Sequence, residues 1–425
     1  MGVLLKKAVV ADSASGGPSC RSCGSAQMVS FIDLGMSPLC ESFVPAGRLN
    51  AMEPFYPLHA YTCSDCLLVQ LDQYVTAADI FSEYAYFSSC SDSWVEHARR
   101  YVEQMIERFN LGSSTRVVEI ASNDGYLLQH FVLRGVPVLG VEPAANVAKV
   151  AIDKGIPTEV RFFGRRCAEE LLQRNGGADL LIGNNVLAHV PDLNDFVDGL
   201  KALLTPRGLI TMEFPHVARL MQFNQFDTIY HEHFCYFSLL TVERVFAAHG
   251  LRLFDVEELP THGGSLRICG CHAPNSDWSA TERLTRLRDW EHQNGFDRLQ
   301  AYLEFEERVH ETKRKLLDFL ISAKRAGKTV VGYGAPGKGN TLLNYCGIRQ
   351  DFIDYTVDRS TYKQGKFTPG THIPIHHPDK IRETRPDYIL ILPWNIKDEI
   401  MTQLDYVREW GARFVVPIPE ATVLS

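Results

Sequence analysis

The fold is decided by one stretch of the chain, Arg116-Val117-Val118-Glu119-Ile120-Ala121-Ser122-Asn123-Asp124-Gly125-Tyr126-Leu127. An apolar run with an acid inside it leads into small residues and an Asp-Gly pair, and an apolar helical pattern follows. This order predicts a strand, a tight turn and a helix, the unit from which α/β sheets are built. The turn differs from the Gly-x-Gly-x-x-Gly of dinucleotide-binding domains. The stretch therefore predicts an α/β sheet that is not of the ordinary dinucleotide-binding kind.

Three later segments extend the predicted sheet. The first, Val138-Leu139-Gly140-Val141-Glu142-Pro143, ends on an acid, and an acid at the end of the second strand of a doubly wound sheet is placed to bind ribose hydroxyls. Residues 179–192 predict a fourth strand with its loop, and residues 208–215 predict a fifth. Ligands of open α/β sheets sit beyond the carboxyl ends of the strands. We therefore expect the functional side chains at that edge.

In their order and spacing these segments resemble class I S-adenosylmethionine (SAM)-dependent methyltransferases. The resemblance implies SAM as the cofactor, with small residues at the first turn that let the backbone approach its methionine part. The segment Leu187-Ala188-His189-Val190-Pro191-Asp192 is similar to that of small-molecule methyltransferases and unlike the Asn-Pro-Pro-Tyr loop of many DNA-methylating enzymes. The implied cofactor-binding residues are Glu119, Ser122, Asp124, Gly125, Glu142, Pro143, Asn184 and Asn185.

Composition limits the remaining possibilities. At 425 residues the chain should form two or three domains, and we expect boundaries near 1–75, 76–255 and 256–425. A net charge of −8 argues against nucleic acid as the main partner, because phosphate binding needs a basic face. No apolar run approaches the roughly 20 residues that span a bilayer, and the first residues lack the apolar core of a signal peptide. We expect a cytoplasmic protein.

Two Cys-x-x-Cys pairs in the first segment predict a metal site. Four thiolates complete a closed tetrahedral zinc site, which leaves no position for a reacting water, so the zinc should be structural. The alternatives are four unrelated buried cysteines or a redox pair, and two intact pairs in one short segment favour the metal. The predicted ligands are Cys20, Cys23, Cys63 and Cys66.

Proton-handling side chains are concentrated in Tyr230-His231-Glu232-His233-Phe234-Cys235-Tyr236-Phe237. The stretch follows the predicted fifth strand, so it should lie over the carboxyl edge of the sheet, where the methyl group would be transferred. The alternatives are histidines with a structural role, or a second metal site formed from the His-x-His pair. Two histidines that flank an acid beside a tyrosine favour a catalytic role. The spacing does not decide between His231 and His233.

The last segment carries a second glycine-rich turn. Gly332-Tyr333-Gly334-Ala335-Pro336-Gly337-Lys338 predicts a strand, a turn and the start of a helix that could hold phosphate, and Asp358 follows at the separation of a ribose-binding acid. An NAD-dependent oxidoreductase is therefore one alternative, and a domain without a ligand is another. The chain left after the turn is too short for two mononucleotide halves, which favours a single nucleotide diphosphate. Trp394, just past a predicted strand, could stack on a base or sugar.

The whole order of motifs resembles the bacterial sugar C-3 methyltransferases that act on nucleotide-linked 4-keto deoxysugars. It consists of the four-cysteine lobe, the SAM fold, Tyr-His-Glu-His, Thr-His-Gly-Gly-Ser-Leu-Arg from residue 261, and Gly-Tyr-Gly-Ala-x-x-Lys-Gly from residue 332. The enzymes that methylate dTDP-3-amino-4-keto-2,3,6-trideoxyglucose on the way to kijanose or tetronitrose are the most similar. The implied fold is a class I SAM methyltransferase domain between a zinc-binding lobe and a Rossmann-like nucleotide-binding domain.

The resemblance also implies residue roles and partners. His233 would be the base, and Glu232 would orient or bind the sugar. Tyr230, Tyr84 and His189 would donate to the keto oxygen or contact the sugar and the enolate. The implied substrate-binding residues are His262, Gly263, Gly264, Arg267, Tyr333, Gly334, Lys338, Asn340, Asp358, Trp394 and Asn395. The expected partners are SAM, zinc and a dTDP-linked ketosugar, with a monomer plausible. A neutral ketosugar of the mycarose type is the alternative substrate, and a zinc-ribbon adaptor with a degenerate fold is the non-enzymatic alternative.

Overall fold

A computed structural model describes residues 18–76 and 87–424. They form three sheets of four, seven and six strands, together with a two-stranded ribbon. Within these residues no helix combines the length and apolarity needed to cross a membrane.

The N-terminal lobe is a small antiparallel sheet that carries both cysteine pairs. The lobe contributes three strands to this sheet, β1 (Met28–Ser37), β3 (Tyr56–Cys63) and β4 (Val69–Leu71), and it also contains the short β2 (Val44–Pro45), which lies outside the sheet. β3 pairs with β1 on one side and with β4 on the other. One face of β1 is apolar, and the ring of Phe31 stacks on Phe305 with centroids 4.7 Å apart. The lobe therefore buries its apolar face against the C-terminal part of the chain instead of forming a separate core.

The middle unit is built on a seven-stranded sheet. Its helices are α1 (Asp92–Phe109), α2 (Leu128–Val132), α3 (Ala145–Asp153), α4 (Arg165–Asn175), α5 (Leu193–Leu203), α6 (Val217–Gln222) and α7 (Leu239–Ala248). Its strands are β5 (Val117–Ile120), β6 (Val138–Val141), β7 (Thr158–Glu159), β8 (Ala178–Asn184), β9 (Leu204–Pro215), β11 (Leu251–Leu259) and β12 (Ser265–His272), and β10 (Cys235–Tyr236) lies outside this sheet.

The order of this sheet is β11-β12-β9-β8-β5-β6-β7. β5 to β9 are mutually parallel, whereas β12 runs antiparallel between β9 and β11. The carboxyl ends of β5, β6, β8 and β9 therefore share one edge, as the sequence predicts. The sheet also continues to His272, past the boundary expected at residue 255, because β12 supplies the partner that β9 needs on its open side.

The C-terminal unit begins with helices and ends in a six-stranded sheet. Its helices are α8 (Glu282–Gln293), α9 (Leu299–Leu303), α10 (Phe305–Arg325), α11 (Gly337–Cys346), α12 (Lys380–Thr384) and α13 (Lys397–Gln403). Its strands are β13 (Val330–Tyr333), β14 (Thr356–Val357), β15 (Lys366–Phe367), β16 (Ile375–His376), β17 (Tyr388–Ile391), β18 (Arg413–Val416) and β19 (Thr422–Leu424). The sheet order is β16-β14-β13-β17-β18-β19, parallel except at β19. The strand-turn-helix predicted from residue 329 is present as β13 and α11.

Two strand pairings join the N-terminal lobe to the rest of the molecule. β10, from the middle of the Tyr230–Phe237 stretch, pairs antiparallel with β4 and completes the four-stranded sheet. β15 of the C-terminal unit pairs with β2. The proton-handling stretch is therefore built into the sheet of the zinc lobe, while its flanks belong to the middle unit.

Candidate active site

The turn after β5 is shaped for close approach. Ala121, Asn123 and Gly125 all have positive φ, at 57°, 50° and 76°. A Cβ on Gly125 would overlap the Cδ1 of Ile156, so this position requires glycine. The Glu142 carboxylate, at the end of β6, accepts the N–H groups of Asn123 and Ala144, each at 2.9 Å. The second-strand acid therefore fixes the shape of the first turn.

Several carboxyl groups lie close together at this turn, and some of their oxygens lack a hydrogen-bond donor among the described residues. Glu119 is fully buried, and among the described residues neither of its carboxylate oxygens has a hydrogen-bond partner. Burial, followed by the nearby Glu142 and Asp124, raises the pKa of Glu119 well above its usual range. Burial also raises the pKa of Glu142. The Lys154 ammonium is 3.8 Å from Asp124. A cationic ligand would relieve this concentration of acid, and SAM carries a sulfonium and an ammonium.

The loop after β8 forms the next part of the same edge. Asn185 has a φ of 54° and directs its amide to the Nε2 of His262, 3.0 Å away. The amide of Asn184 lies 3.4 Å from the Tyr126 hydroxyl, and its Oδ1 is buried with no partner among the described side chains and backbone. Both asparagines predicted to face the cofactor are therefore at the carboxyl edge.

The His233 imidazole is held in one tautomer. Its Nδ1 is 3.0 Å from the carbonyl oxygen of Thr228, and because a carbonyl only accepts, Nδ1 carries the proton. Nε2 is then left with a lone pair. The ring lies 4.0 Å from that of Tyr230 and 4.6 Å from that of His189, measured between centroids. Burial, and then the neighbouring His189, lowers the pKa of His233 well below its usual range, so the ring is neutral at pH 7.

The two histidines of the stretch point to different surroundings. His231 directs Nε2 to the carbonyl of Pro57, 3.1 Å away in the N-terminal lobe. The structure thus brings His233, His189 and Tyr230 together and places His231 outside that group. Glu232 faces the N-terminal lobe, with Oε1 3.9 Å from the Sγ of Cys40. Tyr84 lies outside the described residues, and its predicted role stays a prediction.

Residues of the C-terminal unit lie close to the turn that holds His233. The Trp394 indole donates to the Oδ2 of Asp227 at 2.7 Å, and a Cβ on Gly263 would come within 2.6 Å of the Trp394 ring. The Lys338 ammonium lies 4.7 Å from the centre of that ring and donates to the Oδ1 of Asn395 at 2.7 Å. Burial lowers the pKa of both His189 and His262 to about 4, so these rings are also neutral.

Other residues predicted to bind substrate have partners inside the protein. The Arg267 guanidinium forms ion pairs with Glu213 at 2.8 Å and Glu257 at 3.0 Å. Asp358 accepts the N–H groups of Ala335 and Ser360, each at 2.8 Å. A further three of the predicted residues are held similarly. These are Tyr333, which donates to Gln403 at 3.2 Å, Asn340, which donates to the Cys40 carbonyl at 2.6 Å, and Gly264, which packs on Arg219.

The start of α11 meets the N-terminal lobe. A Cβ on Gly337 would come within 2.9 Å of the Cys40 sulfur and 3.3 Å of a Glu41 carboxylate oxygen. The Lys363 ammonium lies 3.6 Å from Glu41 and donates to the Ala335 carbonyl at 2.9 Å. A carboxylate of the chain itself therefore lies against the helix N-terminus that the sequence suggested for phosphate.

One turn that organises the site could not be recognised from the sequence. Residues 225–229 precede the stretch and were not predicted to be functional. Besides Thr228 and Asp227, the turn provides the Gln225 amide, which donates to the Gly263 carbonyl at 2.7 Å, and the Ile229 carbonyl, which accepts from Thr341 of α11 at 3.1 Å. The turn thus makes four contacts with residues outside it, and two of them use the turn's own backbone carbonyls, which no side-chain pattern reveals.

The predicted zinc ligands converge. The Sγ atoms of Cys20, Cys23, Cys63 and Cys66 lie within 4.8 Å of one another. The Cys20–Cys66 and Cys23–Cys63 pairs are 3.4 and 3.6 Å apart, much longer than a disulfide and close to the sulfur spacing of about 3.8 Å that a tetrahedron of 2.3 Å Zn–S bonds requires. Arg21, inside the first pair, donates to the Pro191 carbonyl at 2.6 Å in the loop that carries His189. The four-cysteine segment is thus joined to the loop that follows β8.

Three family models cover most of the chain. A "Putative zinc binding domain" matches residues 20–81, a "Methyltransferase domain" matches 94–256, and a "C-methyltransferase C-terminal domain" matches 260–419. With the carboxyl-edge site and the four converging thiols, these matches define a class I SAM-dependent methyltransferase with an N-terminal zinc-binding lobe.

One relative is similar over nearly the full length. The C-methyltransferase NovU of Streptomyces niveus is 36% identical over 406 residues, which is 96% of each chain. The chain therefore belongs to the C-methyltransferase family that includes this enzyme.

Two further similarities each cover less than half of the chain. A ubiquinone biosynthesis O-methyltransferase of Rhodopseudomonas palustris is 28% identical over 119 residues, 27% of this chain and 46% of that protein. The solved structure of magnesium protoporphyrin IX methyltransferase from Synechocystis with bound SAM is 14% identical and covers 42% of this chain and 79% of that one, with a TM-score of 0.33.

Proposed function

We propose that this enzyme transfers a methyl group from SAM to C-3 of a dTDP-linked 4-keto deoxysugar, of the 3-amino-2,3,6-trideoxy type, in antibiotic deoxysugar biosynthesis in the cytoplasm. The observation that carries the proposal is the tautomer of His233. The Nδ1 proton is committed to Thr228, so Nε2 is an unprotonated base within a buried group of aromatic side chains. C-methylation needs such a base, because the carbon must lose a proton before it can attack a methyl group.

Each residue of the site has a separate role in the proposed reaction. SAM, when bound, supplies an electrophilic methyl group. Nε2 of His233 removes the C-3 proton, which the adjacent C-4 ketone acidifies, and the C–H electron pair becomes an enolate. Tyr230, His189 and Tyr84 are the proposed donors to the enolate oxygen, and Glu232 orients the sugar. The carbanion then attacks the methyl carbon as the methyl C–S bond breaks, its electron pair stays on sulfur and S-adenosylhomocysteine leaves. The proton stays on His233 until solvent takes it.

The same contacts support a position for the substrate. His262, Gly263, Lys338 and Trp394 lie where the carboxyl edge meets the C-terminal unit. We place the nucleotide-sugar beside these residues, with the sugar at His233. Asp358 and Arg267, which are held by protein partners, would support the site without touching the sugar.

The most direct test measures the product. The purified protein is incubated with SAM and a panel of dTDP-4-ketosugars, with and without a 3-amino group, and products are weighed by mass spectrometry. A mass gain of one methylene on 3-amino substrates supports the full proposal, and a gain only on neutral substrates selects the mycarose-type alternative. If no ketosugar gains a methyl group, the proposed substrate class is wrong.

A substitution tests the base. His233→Asn keeps a donor for the Thr228 carbonyl and removes the basic nitrogen, so we expect a loss of turnover of roughly 10²–10⁴-fold with unchanged SAM affinity. Exchange of the C-3 hydrogen in deuterated water should fall equally. His231→Asn is the matched control and should keep both activities. Undiminished exchange in His233→Asn would assign the base to another residue.

A further inference from the structure

A buried carboxylate lies between the base and the C-terminal unit. Asp227 is fully buried in the short turn Phe226–Thr228, one residue before the carbonyl that holds His233. Its Oδ2 accepts the Trp394 indole proton at 2.7 Å, whereas its Oδ1 has no hydrogen-bond partner within the described part of the chain. A buried, half-satisfied carboxylate is costly, so a role in function is the better explanation for it.

Lys338 is the cation that this carboxylate influences. The ammonium lies over the face of the Trp394 ring, while the Asp227 carboxylate accepts a hydrogen bond from the indole N–H at the ring edge. The same indole therefore contacts both the positive and the negative group. Burial lowers the pKa of Lys338, and Asp227 opposes that shift. After burial, the positive charge of Lys338 is among the causes that lower the pKa of His233 and of His262, so the ammonium acts on both imidazoles.

We propose that Asp227 is a positioning residue that keeps the Lys338 ammonium charged and held at the Trp394 indole, where the ammonium takes an anionic oxygen of the substrate. The inference rests on the proposed function. The oxygen belongs either to the enolate that forms beside His233 or to the diphosphate of the nucleotide-sugar. Both are oxyanions that a compact ammonium binds well. The C-terminal unit is then an electrostatic part of the methyl-transfer site.

The groups around Asp227 and Lys338 determine how the charges of these two residues depend on pH. Asp227 faces Lys338 and, across the turn, the thiol of Cys346 on α11. Lys338 faces Asp227 and the two neutral imidazoles of His233 and His262. Burial raises the pKa of Asp227 to about 6, with Lys338 opposing the rise. The carboxylate is therefore charged at pH 7.5 and neutral below about pH 5, and its support of Lys338 disappears over that interval.

The decisive variant is Asp227→Asn, which keeps an oxygen for the Trp394 indole and removes only the charge. We expect kcat/KM to fall roughly 10- to 100-fold, and its basic limb to move about one pH unit lower, because Lys338 loses its proton earlier. SAM affinity should be unchanged. A merely structural role would lower the melting temperature and leave the pH profile in place, which would overturn the proposal.

Variants of Lys338 distinguish the two oxyanions. With Lys338→Met, a loss in kcat together with slower C-3 hydrogen exchange assigns the ammonium to the enolate, and a rise in KM at constant kcat assigns it to the diphosphate. Lys338→Arg should recover part of either loss. Wild-type kinetics in Lys338→Met would contradict the proposal.

A readout without turnover separates this proposal from the proposed function. Acetic anhydride labels only the neutral amine, so the pH dependence of Lys338 acetylation, read by peptide mass spectrometry, reports its pKa in the substrate-free enzyme. The labelling midpoint should lie about one unit lower in Asp227→Asn than in the wild type. Equal midpoints would refute the coupling even if the enzyme methylates ketosugars. Conversely, a shifted midpoint with an inactive wild type would refute only the proposed substrate.

Discussion

Two turns of the molecule have the same construction and opposite chemistry. Each follows a central parallel strand and enters the next helical segment through residues with positive φ, Gly125 after β5 and Gly334 after β13. At the first turn, Glu119 is buried with both carboxylate oxygens lacking partners among the described residues. At the second, Asp358 accepts two backbone N–H groups, and Glu41 of the N-terminal lobe lies against the helix start.

This difference distinguishes a ligand site from a structural joint. A buried polar group without a partner is expensive, and a bound ligand can supply the missing interaction. A turn whose polar groups are satisfied by the protein gains less from a ligand. The first turn therefore fits a cofactor, whereas the second fits the attachment of one unit to another. The glycine pattern is shared because both turns need the same backbone, whatever they bind.

Removal of the zinc should have the largest effect on the difference between the two turns. The N-terminal lobe lies against the second turn, and the metal is needed for that lobe to fold. A four-thiolate site contributes on the order of 10 kcal/mol, more than a small lobe retains without it. Cys63→Ser should therefore lose the metal and leave the lobe unfolded, as seen by metal analysis and near-ultraviolet circular dichroism. The exposed Cys90→Ser is the control and should keep both. A folded, metal-free Cys63→Ser that has lost turnover would contradict a structural zinc.

Asp124 at the first turn and Asp358 at the second allow a matched pair of substitutions. Asp124→Asn should weaken SAM binding about 10- to 100-fold, because it removes charge from the cluster that faces the cofactor. Asp358→Asn should leave SAM affinity unchanged and cost about 1–2 kcal/mol of unfolding free energy, since it disturbs the acceptor of two backbone N–H groups. Calorimetric titration and denaturant unfolding of both variants measure the two effects. If Asp358→Asn weakened SAM binding and Asp124→Asn did not, the contrast would be reversed.

The pH dependence of stability tests the unpaired acids. The folded-state pKa of Glu119 is raised, so the native protein binds more protons than the unfolded chain between the unfolded pKa of about 4.3 and the raised value. In that window the contribution of Glu119 falls as pH rises, by about 1.4 kcal/mol for each unit by which the pKa is raised. The cofactor-free wild type should therefore lose stability relative to Glu119→Gln as the pH rises above the unfolded pKa of about 4.3.

Ligands sharpen this comparison. SAM carries the sulfonium charge, and S-adenosylhomocysteine does not, so SAM should flatten the pH dependence more than its demethylated product. Melting temperatures of the wild type and Glu119→Gln with each ligand provide the measurement. Parallel pH profiles for the two proteins in the absence of ligand would show that Glu119 does not titrate in this range.

The smallest effect is expected at Glu41. Its carboxylate is half-exposed and lies against the first turn of α11, where a negative charge is worth about 0.3–1 kcal/mol. Glu41→Gln should lower the unfolding free energy by that amount, and less in high salt, with SAM affinity unchanged. A gain in nucleotide binding by this variant would instead show that Glu41 occupies a phosphate position.

Much of the architecture could be predicted because it depends on local patterns. The alternation of strands and helices from Val117 to Pro215 follows from short apolar runs and turn residues, and the zinc ligands follow from their spacing. Residues 277–326 are charged and helical in pattern, yet they do not form one helix, since Gly295 adopts a φ of 79° and separate helices form on either side. Turn chemistry outweighed helix propensity there.

The finer structure of the site depends on contacts that sequence spacing does not encode. His231 and His233 are two residues apart and have the same chemistry. What separates them is which backbone carbonyl each meets, Pro57 for one and Thr228 for the other. The partners of the second turn are equally distant in sequence, as Asn340 and Cys40 are 300 positions apart. Asp227 has no pattern around it that marks it as functional.

The pairing of β10 with β4 has a consequence for synthesis on the ribosome. The sheet of the N-terminal lobe is completed by a strand that begins 164 residues after β4 ends, from Leu71 to Cys235. At about 5–20 residues per second, the ribosome adds that strand roughly 8–33 s later. Until then β4 is the exposed edge of the nascent sheet. The lobe that appears first therefore finishes late, and a chain truncated before Cys235 should be prone to aggregate through that edge.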